Sequence, residues 1–298
     1  MSITISASMV KELRERTGSG MMECKKALVE ANGEMELAIE NMRKSGLAKA
    51  DKKSGRIAAE GIIGVKVSDD GKAVAIVDIN CETDFVAKAD GFVNFVNNVT
   101  VALLNADNIE SEEQLLAMPL EDGVTVDEMR RGLISTLGEN ITVRRFERFK
   151  TTEGGTACYL HGSKIGVIVE LATPDNELGK DIAMHIAASK PVCVSEDQVS
   201  ADTIAKEKEI FLAQQEEKIK GKPAEIVEKM VTGRVSKFLA EVTLLGQPFI
   251  KDDKTTVGNL VAKKGNKAIR FIRFEVGEGI EKKEENFAEE VMAQVRGN

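Results

Sequence analysis

Cys81, Asp84 and His161 are the side chains from which a nucleophile, a carboxylate and a base can be assembled in this chain. Such a triad would do thiol-based nucleophilic chemistry. Nothing in the sequence around Cys81 activates it, however, since no positive charge stands beside the thiol. His161 and His185 are the only histidines, and His185 lies in DIAMHIAASK, an apolar helical pattern where a satisfied core histidine is the commoner outcome. The loops that cradle phosphates, G-x-x-x-x-G-K-[ST] and G-x-G-x-x-G after a strand, are absent, as are G-x-S-x-G and H-E-x-x-H. Cys24, Cys81, Cys158 and Cys193 form no C-x-x-C pair, and His161 makes only a lone C-x-x-H with Cys158. All four cysteines read as reduced thiols, most of them packed as small hydrophobes. The expectation is a protein that is not an enzyme and takes no metal and no cofactor.

A different feature stands out in DINCETDFVA, residues 78–87. The apolar run Val74–Val77 reads as a buried strand, and the polar turn after it contains Asp84-Phe85. Either Phe85 folds back into the core or it is held out for something else. Met21-Met22, placed between helices, is a second apolar feature of this kind. Adaptable methionines and aromatic anchors are what a protein uses when its substrate is another protein.

Elements must position these residues. The chain has 298 residues, enough for more than one domain, with 42% apolar and 30% charged residues. Its net charge of -8 argues against a general nucleic-acid binder. The basic run Lys44–Arg56 reads first as a solvated linker. No apolar run approaches a membrane span, and the first residues carry no secretory h-region, so a cytosolic protein is expected. Apolar residues three and four apart predict three short helices over 6–46, ending at Gly18, Gly33 and Gly46, with Ser6 capping the first and a linker over 47–56.

Residues 57–276 hold a disguised repeat. VRRFERF (143–149) is echoed by IRFIRFEV (269–276), TVDEM (125–129) by TVGNL aligned on Thr256-Val257, and AIVDI (75–79) by VIVEL (167–171). Each copy runs hairpin, helix, helix, strand, which predicts an α+β core of two similar subdomains with antiparallel sheets. The second copy is interrupted at 199–242 by two charged helical stripes joined at Gly221-Lys222-Pro223. Their spacing predicts an antiparallel coiled-coil hairpin, with two flat-packed core helices as the alternative. Residues 284–296 read as a terminal helix. The boundaries implied are 1–55 for the helical domain with its linker, 56–150 for the first core subdomain, 151–198 with 243–279 for the second, 199–242 for the hairpin and 280–298 for a C-terminal module.

Several long motifs closely resemble the bacterial elongation factor Ts family: VKELRERTGSGMMECKKAL (10–28), AIENMRKSG (38–46), NCETDFVA (80–87), LGENI (137–141), AMHIAASKP (183–191), LLGQPF (244–249) and RFEVGEGIEK (273–282). The likeness runs nearly end to end and is weakest over 104–125. It implies a guanine-nucleotide exchange factor for the translation GTPase elongation factor Tu, with no direct nucleic-acid or membrane partner. It also implies that the N-terminal helices form a ubiquitin-associated-like (UBA-like) domain. By motif, Thr83, Asp84, Phe85 and Val86 match the segment that pushes into the GTPase and dislodges its magnesium ion. His161 matches a histidine that reaches toward that region, and Arg14, Met21 and Met22 match a surface contacting the nucleotide-binding domain. Gly138 and Glu139 lie in a further contacting segment. The alternative is a binding scaffold that uses the three-helix domain without exchange activity.

Overall fold

The structure is a computed structural model that describes residues 5–121 and 123–281, with the backbone alone for 47–49. The terminal helix expected over 284–296 lies outside the described residues.

Helices α1 (Ala7–Thr17), α2 (Met21–Glu30) and α3 (Met35–Lys53) close on a small core of Val10, Leu13, Cys24, Ala27, Leu28, Ala31 and Ala38. The Ser6 hydroxyl accepts from the Met9 N–H at 3.3 Å, and Gly18, at φ +66°, ends α1 in the left-handed conformation that glycine adopts at no steric cost. Two expectations are corrected here. Met21 and Met22 are not between helices but form the first turn of α2. And α3 does not stop at Gly46: it runs on to Lys53, so most of the expected linker is helix. The reason is tertiary. A Cβ at Gly46 would lie 3.1 Å from Ser135 Oγ, so the glycine lets α3 lie close against α7 (Val126–Leu137). Beyond it Ala50 is buried in the main core, and Asp51 pairs with Arg131 at 3.0 Å. Packing of this kind outweighs the roughly 1 kcal/mol that a mid-helix glycine costs.

The first repeat copy comprises β1 (Glu60–Val67), β2 (Ala73–Cys81), α4 (Asp84–Ala87), α5 (Asp90–Asn105), α6 (Glu112–Ala117), α7 and β3 (Ile141–Lys150). The second comprises β4 (Gly155–His161), β5 (Ile165–Leu171), α8 (Asn176–Ser189), an inserted α9 (Ala201–Gln214), α10 (Glu216–Ile219) and α11 (Ala224–Val242), the short pair β6 (Pro248–Phe249) and β7 (Asp252–Thr256), then α12 (Val257–Lys263) and β8 (Ala268–Glu275). The sheets are antiparallel, ordered β1-β2-β3 and β4-β5-β8, so the two AIVDI/VIVEL segments are the central strands. The result is an α+β fold.

Strand alternation builds two cores from each central strand. Ala75, Val77 and Ile79 of β2 pack with Phe92, Phe95, Val96 and Val99 of α5. Their neighbours Val74 and Ile76 face the other way, toward Ile168 of β5 and Phe274 of β8. In the second copy Val167, Val169 and Leu171 pack with Ile182, Ala183, Ile186 and Ala187 of α8.

The R-F-x-R-F motif explains itself at the sheet-to-sheet contact. Arg145 donates from Nε to Asp78 of its own sheet at 2.9 Å and lies 4.4 Å over the Phe274 ring of the other sheet. Arg270 donates to Glu170 of its own sheet at 2.6 Å and lies 4.1 Å over Phe149. Equivalent residues thus make reciprocal contacts, the geometry of a two-fold interface. The Thr-Val echo also has a cause, since Thr125 caps α7 and Thr256 caps α12 through their hydroxyls.

Helices α9 and α11 pack on one another, joined by Glu207–Arg234 at 2.8 Å, and neither buries a residue fully. Their root is bonded to the second copy through Val192 N–H to Val242 O and Leu244 N–H to Cys193 O.

Candidate functional site

Strand β2 is buried at every position up to Cys81, and the chain leaves it into a single helical turn, α4, where the sequence alone predicts a polar turn. The Thr83 hydroxyl caps that turn by accepting the Val86 N–H at 3.3 Å. Val86 and Ala87 are buried in the first core and pin the turn from below. Phe85 points the other way and is 81% exposed. The choice posed by DINCETDFVA is therefore settled for the free chain: the phenylalanine is held out.

Asp84 is half exposed and meets Lys88 at 2.7 Å. That ammonium, by its hydrogen bond first, holds the carboxyl below the usual aspartate range, and Lys164 on the β4–β5 turn acts in the same direction. The turn thus presents an ionised carboxylate beside an exposed ring.

Two glutamates fasten this turn. Glu139 accepts from the Glu82 and Thr83 N–H groups at 3.1 and 2.9 Å and from the Thr83 hydroxyl at 2.6 Å. Glu82 in turn accepts from the Asn140 N–H at 2.6 Å. Gly138 ends α7 at φ +82°, and its carbonyl accepts from Lys53 at 2.6 Å. The resemblance puts Gly138 and Glu139 in a segment that contacts a partner, while in the free chain their polar atoms serve the turn and α3. Sequence reasoning misses Glu82, Asn140 and Lys53. No local pattern flags them, because their partners lie more than fifty residues away.

His161 ends β4 and is exposed, with Nδ1 3.3 Å from the Tyr159 hydroxyl. The β4–β5 turn docks on β1 through Ile63 N–H to Ser163 O at 2.9 Å. A cleft of about 390 Å³ lies between this hairpin and α4–α5, lined by Leu160, Gly162, Ala87, Lys88 and Ile62 among others. The cleft thus separates the β4–β5 hairpin from Ala87 and Lys88 at the end of the Phe85 turn, and neither the His161 nor the Phe85 side chain lines it.

Arg14, Met21 and Met22 sit on the N-terminal bundle, all exposed, with Met22 at 77% and Met21 at 58%. The bundle meets the first copy through α3 on α7, so these residues form a second exposed surface rather than part of the cleft.

The thiol alternative finds no support in this geometry. Cys81 is fully buried, donates to Thr83 O at 3.2 Å, and its pKa is pushed up to about 12, first by burial and then by the Glu139 charge. His185 is the satisfied core histidine: Nε2 meets Gln247 Oε1 at 2.9 Å and Nδ1 accepts from the Ile250 N–H at 3.2 Å. Among the described residues no helix is long and apolar enough to cross a membrane.

Fold and site together define an α+β protein that holds an aromatic side chain out on a braced turn. Known proteins narrow this further. The family model described as Elongation factor TS matches residues 82–278. Over 296 residues the chain is 64% identical to Elongation factor Ts of Methylococcus capsulatus, spanning 99% of this chain and 100% of that relative. It is 60% identical to Elongation factor Ts of Thioalkalivibrio sulfidiphilus and 58% to that of Alkalilimnicola ehrlichii, each with 99% of this chain and 100% of the relative covered. The chain belongs to the elongation factor Ts family, whose role is in translation elongation.

Proposed function

We propose that this chain is a guanine-nucleotide exchange factor for elongation factor Tu, acting in the cytoplasm by binding and not by chemical catalysis. The observation that carries the reading is the exposed Phe85 on a turn anchored from beneath by Val86 and Ala87. A GTPase holds GDP and magnesium with switch elements that close around them. A factor that binds better when those elements are displaced must weaken nucleotide binding by the same coupling free energy. Phe85 is the wedge in this scheme, and Asp84 brings negative charge toward the magnesium water shell. Thr83 and Val86 hold the wedge, His161 approaches from the other side of the cleft, and Arg14, Met21 and Met22 grip the nucleotide-binding domain.

The same reading assigns residues 1–55 to a UBA-like domain and 56–150 to the first core subdomain. It assigns 151–198 with 243–279 to the second subdomain, 199–242 to a coiled-coil hairpin and 280–298 to a C-terminal module. The mutual packing of α9 and α11 without fully buried residues supports a hairpin that projects. The test is release of labelled GDP from elongation factor Tu. Substoichiometric amounts of this chain should accelerate it, and unchanged release at saturating amounts would refute exchange and leave a binding scaffold.

A further inference from the structure

A helix of one turn does not hold itself, because nucleation is unfavourable and the first N–H groups have no intrahelical partner. The outward pose of Phe85 must therefore be imposed on α4 from outside. Burial of Val86 and Ala87 fixes its underside. The entry to the turn is fixed by one carboxylate. Glu139 Oε2 takes the Glu82 and Thr83 N–H groups, at 3.1 and 2.9 Å, and Oε1 takes the Thr83 hydroxyl at 2.6 Å. That last bond orients the hydroxyl, whose lone pair then caps Val86 N–H at 3.3 Å. Glu139 is itself held from behind. Its neighbour Asn140 gives its N–H to Glu82 Oε1 at 2.6 Å and its side-chain amide to the Ser54 and Arg56 carbonyls at 3.3 and 2.8 Å. Lys53 holds the Gly138 carbonyl at 2.6 Å. The 138–140 turn is thus seated on the end of α3 before it reaches the Phe85 turn.

We propose that Glu139 is the positioning residue for Phe85, acting through Thr83 from behind the interface rather than touching the partner. This rests on the wedge reading of Phe85 given above. Its carboxylate directs both oxygens at the 82–83 segment, and three of its roughly four acceptor positions are filled by this chain's own donors. Charge-assisted bonds to a carboxylate are the stronger kind, which favours keeping them in the bound state.

The chain contains no tryptophan, so F85W gives a single fluorescent reporter at the tip of the turn. In the F85W background, E139A should lower the fluorescence anisotropy and raise acrylamide quenching, with little change in melting temperature. In the native background, E139A should slow GDP release at saturating factor by about tenfold, as misplacement of a positioned group does. E139Q keeps an oxygen facing the two N–H groups but sets an amide donor where Oε1 accepts the Thr83 hydroxyl, so it should change both readouts distinctly less than E139A does. If E139A does not fold, E139D, one methylene short of the turn, replaces it. Unchanged reporter mobility in E139A, or equal damage from E139Q, would overturn the proposal. Mobility is read without any partner, so it separates the two readings. A mobile reporter in a protein that never accelerates GDP release would sink the exchange function and keep the positioning role. Lost exchange with an immobile reporter would do the opposite, placing Glu139 at the interface.

Discussion

The two repeat copies share their strands, their backing helices and the reciprocal Arg–Phe contacts, and they differ in the connection between the central strand and its backing helix. In the second copy β5 ends at Leu171 and α8 begins at Asn176 after a short turn. In the first copy β2 ends at Cys81 and α5 begins only at Asp90, with α4 and its exposed Phe85 in the extra length. The second copy has its own addition elsewhere, the α9–α11 insertion between its two shared helices. What the copies share forms the two cores, whereas the additions turn much of their surface outward: Phe85 stands out from α4 above the buried Val86 and Ala87, and α9 and α11 bury no residue fully. In a duplicated core, the shared part is needed for folding, and the unshared part is free to serve binding.

The sharpest test of that division pairs two phenylalanines of the first copy. Phe92 is fully buried on the shared helix α5, and Phe92→Ala should cost about 3–5 kcal/mol of stability in a urea melt. Phe85→Ala, in the unshared turn, should change stability by about 0.5 kcal/mol or less. It should nevertheless slow GDP release by about a hundredfold, the loss expected for an interface anchor. A large stability loss from Phe85→Ala with normal exchange by the folded protein would break the division.

The shared contacts are not equal in depth, and this predicts a smaller asymmetry. Asp78 is fully buried between Arg144 and Arg145, whereas the Glu170 side chain retains 12% exposure and Arg270 is half exposed. Removing Arg145 leaves a buried carboxylate with only the more distant Arg144 at 3.6 Å, so Arg145→Ala should cost about 3 kcal/mol. Arg270→Ala should cost about 1 kcal/mol or less, because solvent screens the pair. Equal losses would mean that the stacking on Phe274 and Phe149, and not the carboxylate, sets the energy.

Much of this division is legible in the sequence. R-F-x-R-F recurs because the first arginine of each copy reaches a carboxylate in its own sheet and the last phenylalanine of the other copy, so the motif carries long-range contacts in a local pattern. Phe85 is legible because a phenylalanine in a polar stretch contradicts its surroundings. What stays hidden depends on distant partners. The continuation of α3 past Gly46 depends on Ser135, Arg131 and Gly138. The helical form of 84–87 depends on Thr83 being oriented by Glu139. The resemblance places Glu139 in a contacting segment, but its bond to Thr83 spans the whole of α5, α6 and α7. Met21-Met22 reads as a connection because Gly18 and Gly20 precede it, yet α2 starts directly after Gly20, which serves as its N-cap residue.

The inserted hairpin offers a weaker effect. Replacing residues 205–236 by a short Gly-Ser turn should shift stability by about 1 kcal/mol or less, since loop closure depends only slowly on length. Exchange should survive in part, because Asp84 and Phe85 belong to the other copy. A shortened protein that cannot fold would move the hairpin from the unshared surface into the core. One that folds but has lost all exchange would show that the Phe85 wedge needs the hairpin to keep the GTPase open.

The smallest expected effect separates the two backing helices. The buried side chains of α5 include no ionisable group, whereas α8 buries His185 at the root of the hairpin. Gln247 bridges the His185 ring to the Glu241 carbonyl at 2.7 Å and the Ser189 carbonyl at 3.3 Å, so the end of α11 and the end of α8 meet on one amide. With Nδ1 accepting from the Ile250 N–H, the ring is neutral and protonated on Nε2. Burial lowers its pKa from the ordinary 6.5, which the Gln247 hydrogen bond only partly opposes. The unfolded chain therefore binds the proton more readily than the folded one. The stability from neutral His185 is fully present above pH 6.5 and is lost as pH falls through the lowered value. Hydrogen exchange at pH 5 and pH 7.5 should then show lower protection at acid pH for α8 and residues 244–250, while α5 keeps its protection. His185→Gln should abolish that pH difference. If α5 loosens equally, or the difference persists in His185→Gln, the acid sensitivity belongs to the whole fold and not to the root of the hairpin.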